Sequence, residues 1–221
     1  KPMIVHVVER VFSTGLFAHI LVATDHEAIF TTCAATGKCT PIYTGEHMNG
    51  SSRCLEAYQK SGIEADYIVN IQGDEPAIQA GQLEDICRIM DANFKNKSIG
   101  TLRKKLNSSA ELANPNIVKV VCGQQQKALY FSRSPIPFVR DHAQENRIET
   151  VNFYKHIGLY GYSFDVLKAI MQLTPGKLEQ AEQLEQLRWL EHGYDIYAAE
   201  TQFDSVGVDT PEDVVKVEQI L

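Results

Sequence analysis

The sequence contains no apolar run approaching the ~20 residues that a bilayer-spanning helix requires, so no transmembrane helix is read in it. It has no block of Lys and Arg either, and its formal net charge is −7. Binding to nucleic acid needs clustered cations against phosphates, so this balance argues against that class. Nucleotide binding stays open, because a metal can neutralise phosphate locally. The five cysteines (Cys33, Cys39, Cys54, Cys87 and Cys122) are irregularly spaced and form no CxxC pair, which argues against a zinc knuckle. Reduced thiols in a cytoplasmic protein are the simplest reading, and no signal peptide opens the sequence. GxxxxGK[ST], GxSxG, HExxH and GxGxxG are all missing. Phosphate-loop ATPase, serine hydrolase, zincin and dinucleotide dehydrogenase lose support accordingly. There are no repeats, no low-complexity tract and no Pro/Gly-rich linker.

What is present suits one α/β domain: 221 residues, 44% of them hydrophobic. Helical spacing of Ile4, Val7, Val8 and Val11 predicts a helix over 3–11. Strands are predicted at 19–23, 40–43 and 66–71, alternating with helices at 27–36, 53–60 and 79–94, the last with Leu83, Ile86, Cys87 and Met90 on one side. Residues 46–52 read as a polar loop. The alternation implies a mostly parallel sheet flanked by helices. The section from 98 to 148 changes character: strands at 98–102, 117–121 and 128–132 are separated by turn-rich segments. It is read as a β-rich subregion of a single domain and as the candidate dimer surface. A strand over 153–162, a helix over 163–171, one long helix over 178–192, a strand over 195–199 and a final helix over 210–221 complete the reading.

The chemistry concentrates at two strand ends. Tyr67-Ile68-Val69-Asn70-Ile71 stops abruptly in Gln72-Gly73-Asp74-Glu75-Pro76, where Pro76 forbids further pairing. Asp74 is thereby held at the carboxyl end of a strand, the edge where open α/β sheets bind ligands. The second end is Ser205-Val206-Gly207-Val208-Asp209, followed by Thr210-Pro211-Glu212-Asp213. Thr210 suits an N-cap, Pro211 the first helical position and Asp213 a capping box. Asp74 and Asp209 are expected to converge on one hard cation such as Mg2+. Asp25 is read as a helix cap and His47 as an organiser of its loop.

Seven ordered motifs resemble those of the 3-deoxy-manno-octulosonate (Kdo) cytidylyltransferases, a family within the nucleotide-diphospho-sugar transferase-like group. They are Ile20–Asp25, His47-Met48-Asn49-Gly50-Ser51-Ser52-Arg53, Asn70–Pro76, Ala128–Pro137, Lys155–Tyr162, Leu184-Glu185-Gln186-Leu187-Arg188 and Gly207–Asp213. The resemblance implies that CTP and Kdo give CMP-Kdo and pyrophosphate, for lipopolysaccharide assembly. It also implies a cytoplasmic, magnesium-dependent homodimer that binds neither nucleic acid nor membrane. Asp74 and Asp209 are implied as the catalytic magnesium ligands. Gly50, Ser51, Ser52, Arg53, Gln72 and Asp74 are implied at the nucleotide, with Arg53 adding a permanent cation. Gln72, Ser132, Arg133, His156, Tyr160, Glu185 and Gln186 are implied at the sugar, with Arg133 paired to its carboxylate. By period two, His156, Tyr160 and Tyr162 share one strand face, and Ile157 and Leu159 the other.

Two departures from the family pattern stand out. The family opens with a strand and a Gly/Arg/Ser-rich triphosphate loop ending near Leu-Pro-Gly-Lys, whereas Lys1-Pro2-Met3-Ile4 resembles the segment after that loop. Asn49-Gly50-Ser51-Ser52 stands where the family has Ser-Gly-Thr-acidic. The alternatives kept open are a cytidylyltransferase for sialic acid or an amino-Kdo, and a non-catalytic nucleotide-binding homologue.

Overall fold

The structure, a computed structural model, describes residues 1–93, 98–140, 147–204, 207–208 and 210–220. Asp209 and the 141–146 part of the expected β-rich subregion lie outside the described residues. The chain forms two compact units: residues 1–84 with 203–221, and residues 85–202.

In the first unit, α1 (Met3–Thr14) buries Val7, Val8 and Val11, the stripe that its spacing implies. Each such burial contributes about 1.5–3 kcal/mol. Val8 packs with Val22 of β1 (Leu21–Thr24) and Cys33 of α2 (Glu27–Thr36). β1 pairs in parallel with β2 (Thr40–Tyr43), so β1, α2 and β2 form a βαβ unit. α3 (Gly50–Ser61) starts three residues before the expected helix, because Asn49 caps it by accepting the Ser52 N–H at 2.9 Å. β3 (Ile68–Asn70) is shorter than expected. The unit closes with α10 (Pro211–Glu218), which starts on the anticipated capping box of Thr210 and Asp213.

α4 (Ala80–Asn93) begins in the first unit and continues into the second. The second unit holds β4 (Ser98–Lys105), α5 (Ser109–Ala113), β5 (Lys119–Cys122), β6 (Ala128–Ser132), α6 (Arg147–Thr150), β7 (Tyr154–Tyr162), α7 (Phe164–Ile170), α8 (Lys177–Glu182), α9 (Glu185–Glu191) and β8 (Asp195–Glu200). Its strands run in the order β6-β5-β7-β4-β8. Within it β4 and β8 pair in parallel, while β4–β7, β5–β7 and β5–β6 are antiparallel. The sheet is therefore mixed rather than mostly parallel. The β-rich section contributes β4, β5 and β6 to it.

The expected long helix over 178–192 is two helices. Gln183 adopts the left-handed conformation (φ 54°) and ends α8, and α9 restarts at Glu185. Glu185 and Gln186 thus sit in the first turn of a helix. The core beneath consists of Trp189, Tyr162, Leu102, Phe131 and Ile196, all fully buried.

Candidate active site

The first unit gathers the residues assigned to the nucleotide. Gly50 opens α3 directly against Gln72: a Cβ there would lie 3.3 Å from the Gln72 side-chain nitrogen and 3.7 Å from that of Asn70. Glycine is what permits this approach. Ser51 is buried, and Ser52 links the cap to His47, whose Nδ1 lies 3.0 Å from Ser52 Oγ. The other nitrogen of His47 meets Glu56, so His47 does organise this segment. The N-terminus of α3 is the positive end of a helix dipole, which favours an anion or a carbonyl acceptor. Arg53 donates to Thr44 Oγ1 at 2.8 Å and to Asp25 Oδ2 at 3.0 Å. The Arg53 guanidinium holds the Asp25 carboxyl below the usual range. Asp25 is not the cap of α2: that place belongs to His26, whose Nδ1 accepts the Ala28 N–H at 3.2 Å. Asp25 instead orients Arg53, 28 residues away. A cleft of about 280 Å3 borders Gly50, Arg53, Asn70 and Gln72 and has apolar walls that include Val7, Val22 and Ala57.

Asp74 lies within a tight turn closed by the Glu75 N–H on the Gln72 carbonyl (3.3 Å), and a second turn, Ile78 N–H to the Glu75 carbonyl (3.1 Å), follows it. Its own backbone carbonyl accepts the N–H of Val208 at 2.9 Å. The two acidic strand ends are thereby tied together up to the residue before Asp209. No group of three or more His, Cys, Asp or Glu side chains suited to a metal occurs among the described residues. Mg2+ takes only one or two carboxylates beside phosphate oxygens and waters, so a donor set built on Asp74 fits that ion.

The second unit holds the residues assigned to the sugar other than Gln72. His156 and Tyr160 share a face of β7, with ring centroids 5.3 Å apart. Phe131 packs edge-on to His156, and Trp189 edge-on to Tyr160. Burial pushes the His156 pKa down to about 3. Burial, and then the nearby Glu185 carboxylate, push the Tyr160 phenol up. The Tyr160 hydroxyl and the Trp189 Nε1–H are buried without a hydrogen-bond partner among the described residues. Gln186 is buried one residue after Glu185.

Ser132 and Arg133 are engaged within the protein. Ser132 Oγ donates to Glu182 Oε1 (2.6 Å), and the Arg133 N–H donates to Glu182 Oε2 (2.9 Å). The Arg133 guanidinium donates to three carbonyls: Glu182 (2.8 Å), Pro115 (3.1 Å) and Gln183 (3.3 Å). This clamp holds the end of α8 and so sets where α9 begins. Arg188 adds a second tie, bidentate to Glu179 of α8. Sequence reasoning missed Glu182 and Thr101, because nothing local marks either one.

A mixed α/β sheet, acidic strand ends, a glycine-opened helix and a polar-aromatic strand face define a nucleotidyltransferase-type protein, and residues 1–196 match the family model described as Cytidylyltransferase. A 3-deoxy-manno-octulosonate cytidylyltransferase of Cytophaga hutchinsonii is 43% identical over 218 residues, covering 98% of this chain and 86% of the relative. One of Phocaeicola vulgatus is 44% identical over 226 residues, covering 100% and 87%. The solved structure of a CMP:2-keto-3-deoxy-manno-octonic acid synthetase complexed with CTP superposes with a TM-score of 0.90 at 39% identity, covering 100% of this chain and 87% of that one. The chain belongs to the cytidylyltransferase family and, within it, to the 3-deoxy-manno-octulosonate cytidylyltransferases.

Proposed function

We propose that this enzyme activates 3-deoxy-manno-octulosonate with CTP, giving the CMP-linked sugar and pyrophosphate. The observation that carries this reading is the buried Tyr160 hydroxyl, which lacks a protein partner among the described residues and sits beside His156 and Glu185. Unmet buried hydrogen-bonding capacity is costly unless a polar ligand supplies it. A polyhydroxylated sugar acid has the groups to do so. Relatives at 43–44% identity bear the name of this activity, and a synthetase of the same fold was solved with CTP.

In this mechanism the anomeric hydroxyl of the sugar attacks the α-phosphorus and pyrophosphate leaves. Catalysis is positioning and charge stabilisation. Gly50, Ser51, Ser52 and Gln72 recognise the base through backbone and amide groups, and Arg53, oriented by Asp25, supplies positive charge beside the nucleotide. Asp74 and Asp209 would hold Mg2+, which when bound would supply positive charge for the phosphates and lower the pKa of the attacking hydroxyl. His156, Tyr160, Glu185 and Gln186 bind sugar hydroxyls. Ser132 and Arg133 position that group by fixing the end of α8. A homodimer is part of the same proposal: Leu129 and Phe138 expose 62% and 74% of their surface. So is the cytoplasm, where the thiols seen at the described cysteines, none of them in a disulfide, stay reduced.

Pyrophosphate release by the full-length protein tests the reading, with CTP, UTP, ATP or GTP and with Kdo, sialic acid or no sugar. Release is expected only with CTP, Kdo and Mg2+ together, and a chelator abolishes it. Release without a sugar acid, or preference for another nucleotide, overturns it.

A further inference from the structure

Thr101 is completely buried in β4 and lies opposite an irregularity in β7. The register passes from Thr101 against Tyr160 to Leu102 against Ile157, leaving Gly158 and Leu159 as two extra residues on β7. Two extra residues preserve the alternation of faces, so His156 and Tyr160 stay together. The same bulge brings two β7 carbonyls to one hydroxyl: Thr101 Oγ1 lies 3.1 Å from the Ile157 oxygen and 2.9 Å from the Leu159 oxygen. His156 Nε2 lies 3.0 Å from it as well.

Three neighbours around one hydroxyl decide the proton positions. A threonine hydroxyl has one hydrogen and two lone pairs, and a carbonyl oxygen can only accept. If the hydrogen pointed at the imidazole, both carbonyl oxygens would face the hydroxyl oxygen across about 3 Å with no proton between them, which is repulsive. The hydrogen therefore goes to a carbonyl, and Nε2 is the donor to Thr101. Burial keeps this ring neutral, with its pKa near 3, so it carries a single N–H. With Nε2 committed to Thr101, the Nδ1 lone pair is the ring's acceptor. The ring is also held in orientation, by Phe131 at 5.1 Å and by the His156 backbone N–H bonded to the Val118 carbonyl at 2.8 Å.

We propose that Thr101 is a positioning residue that locks His156 as the Nε2–H tautomer, so that Nδ1 accepts a hydrogen bond from a hydroxyl of the sugar acid. The inference rests on the assignment of His156 to the sugar made above. It adds a rule of discrimination: at this point the pocket takes a hydroxyl donor and repels a carboxylate oxygen, which has no hydrogen to offer.

The test combines a spectrum with kinetics. In 15N-histidine-labelled protein, with the His156 signals assigned by their loss in H156Q, the wild type should show a protonated, pyrrole-type Nε2 and a pyridine-type Nδ1. Thr101→Val, which removes the hydroxyl at nearly constant volume, should mix the tautomers. It should also raise the KM for the sugar acid about tenfold, the worth of roughly one hydrogen bond, while the KM for CTP holds. Thr101→Ser should restore both. A proton on Nδ1 in the wild type overturns the lock, as does a T101V spectrum unchanged from wild type. A sugar KM that ignores scrambled tautomers overturns the role given to Nδ1. The wild-type spectrum needs neither turnover nor a folded T101V, so failure of the functional reading and failure of the lock are told apart.

Discussion

The guanidinium of Arg133 donates to the carbonyl of Gln183, the left-handed residue at which α8 stops. Two further carbonyls, of Glu182 and Pro115, take its remaining reach. Its fork, rather than its charge alone, is used. Arg133→Lys keeps the charge but offers a point donor that cannot serve three carbonyls. It should cost about 1–3 kcal/mol of stability, read by urea denaturation, and raise the KM for the sugar acid more than that for CTP. If R133K matched the wild type in both, charge pairing with the sugar carboxylate would be the better account of this residue.

Gly100 and Gly161 face each other across β4 and β7, and Met90 of α4 packs into the slot they leave. A Cβ on Gly161 would lie 2.6 Å from Met90 Cγ, and one on Gly100 2.7 Å from Met90 Sδ. Gly161→Ala should therefore destabilise by about 1–3 kcal/mol through overpacking. Shortening the intruding partner in G161A/M90A should recover part of that loss, because the two changes share one space. Additive losses in thermal unfolding would show that the slot does not couple them.

Much of this architecture is written locally. α2, β2 and β6 fall where their apolar patterns and bounding residues place them, and the capping box at Thr210 is visible as four letters. The His156–Tyr160 face follows from alternation alone. Gln183, Asp25 and Thr101 share one cause of failure, which is partners distant in sequence. Gln183 breaks a helical pattern without Gly or Pro, because the clamp from Ser132 and Arg133, some fifty residues earlier, holds the end of α8. Asp25 reads as a cap until Arg53 arrives from another helix. Gly50-Ser51-Ser52 reads as a loop because helix propensity there is poor, yet the Asn49 cap extends α3 across it. Thr101 has no signal at all: its role is created by a bulge on a strand more than fifty residues later.

The carboxylate of Asp74 can be removed without disturbing the turn, since it is the backbone carbonyl that accepts the Val208 N–H. Asp74→Asn should therefore keep the melting temperature within a few degrees while turnover falls by at least about a hundredfold, the scale of losing one major electrostatic contact in a transition state. CTP-dependent protection against thermal unfolding in Mg2+ should weaken in parallel. Turnover within about threefold of wild type would remove Asp74 from the metal site.

Glu56 gives the first unit an acid-sensitive anchor. Its carboxylate receives Lys60 Nζ at 2.6 Å, meets His47 and accepts the Gly45 N–H at 3.1 Å. These partners, Lys60 first, hold its pKa down from the ordinary 4.5 to about 2. A carboxyl whose folded pKa is depressed stabilises the fold above its unfolded pKa, and that contribution disappears as pH falls through the folded value. The window is thus from about pH 4.5 down to about pH 2. Glu56→Gln cannot titrate. The melting temperature of the wild type should exceed that of E56Q at neutral pH, and the gap should close across this window. Because the pair is partly exposed, about 1 M salt, with a screening length of ~3 Å, should shrink the gap at neutral pH as well. A gap that stays constant from pH 7 to pH 2 would mean that the side chain acts by packing rather than by charge.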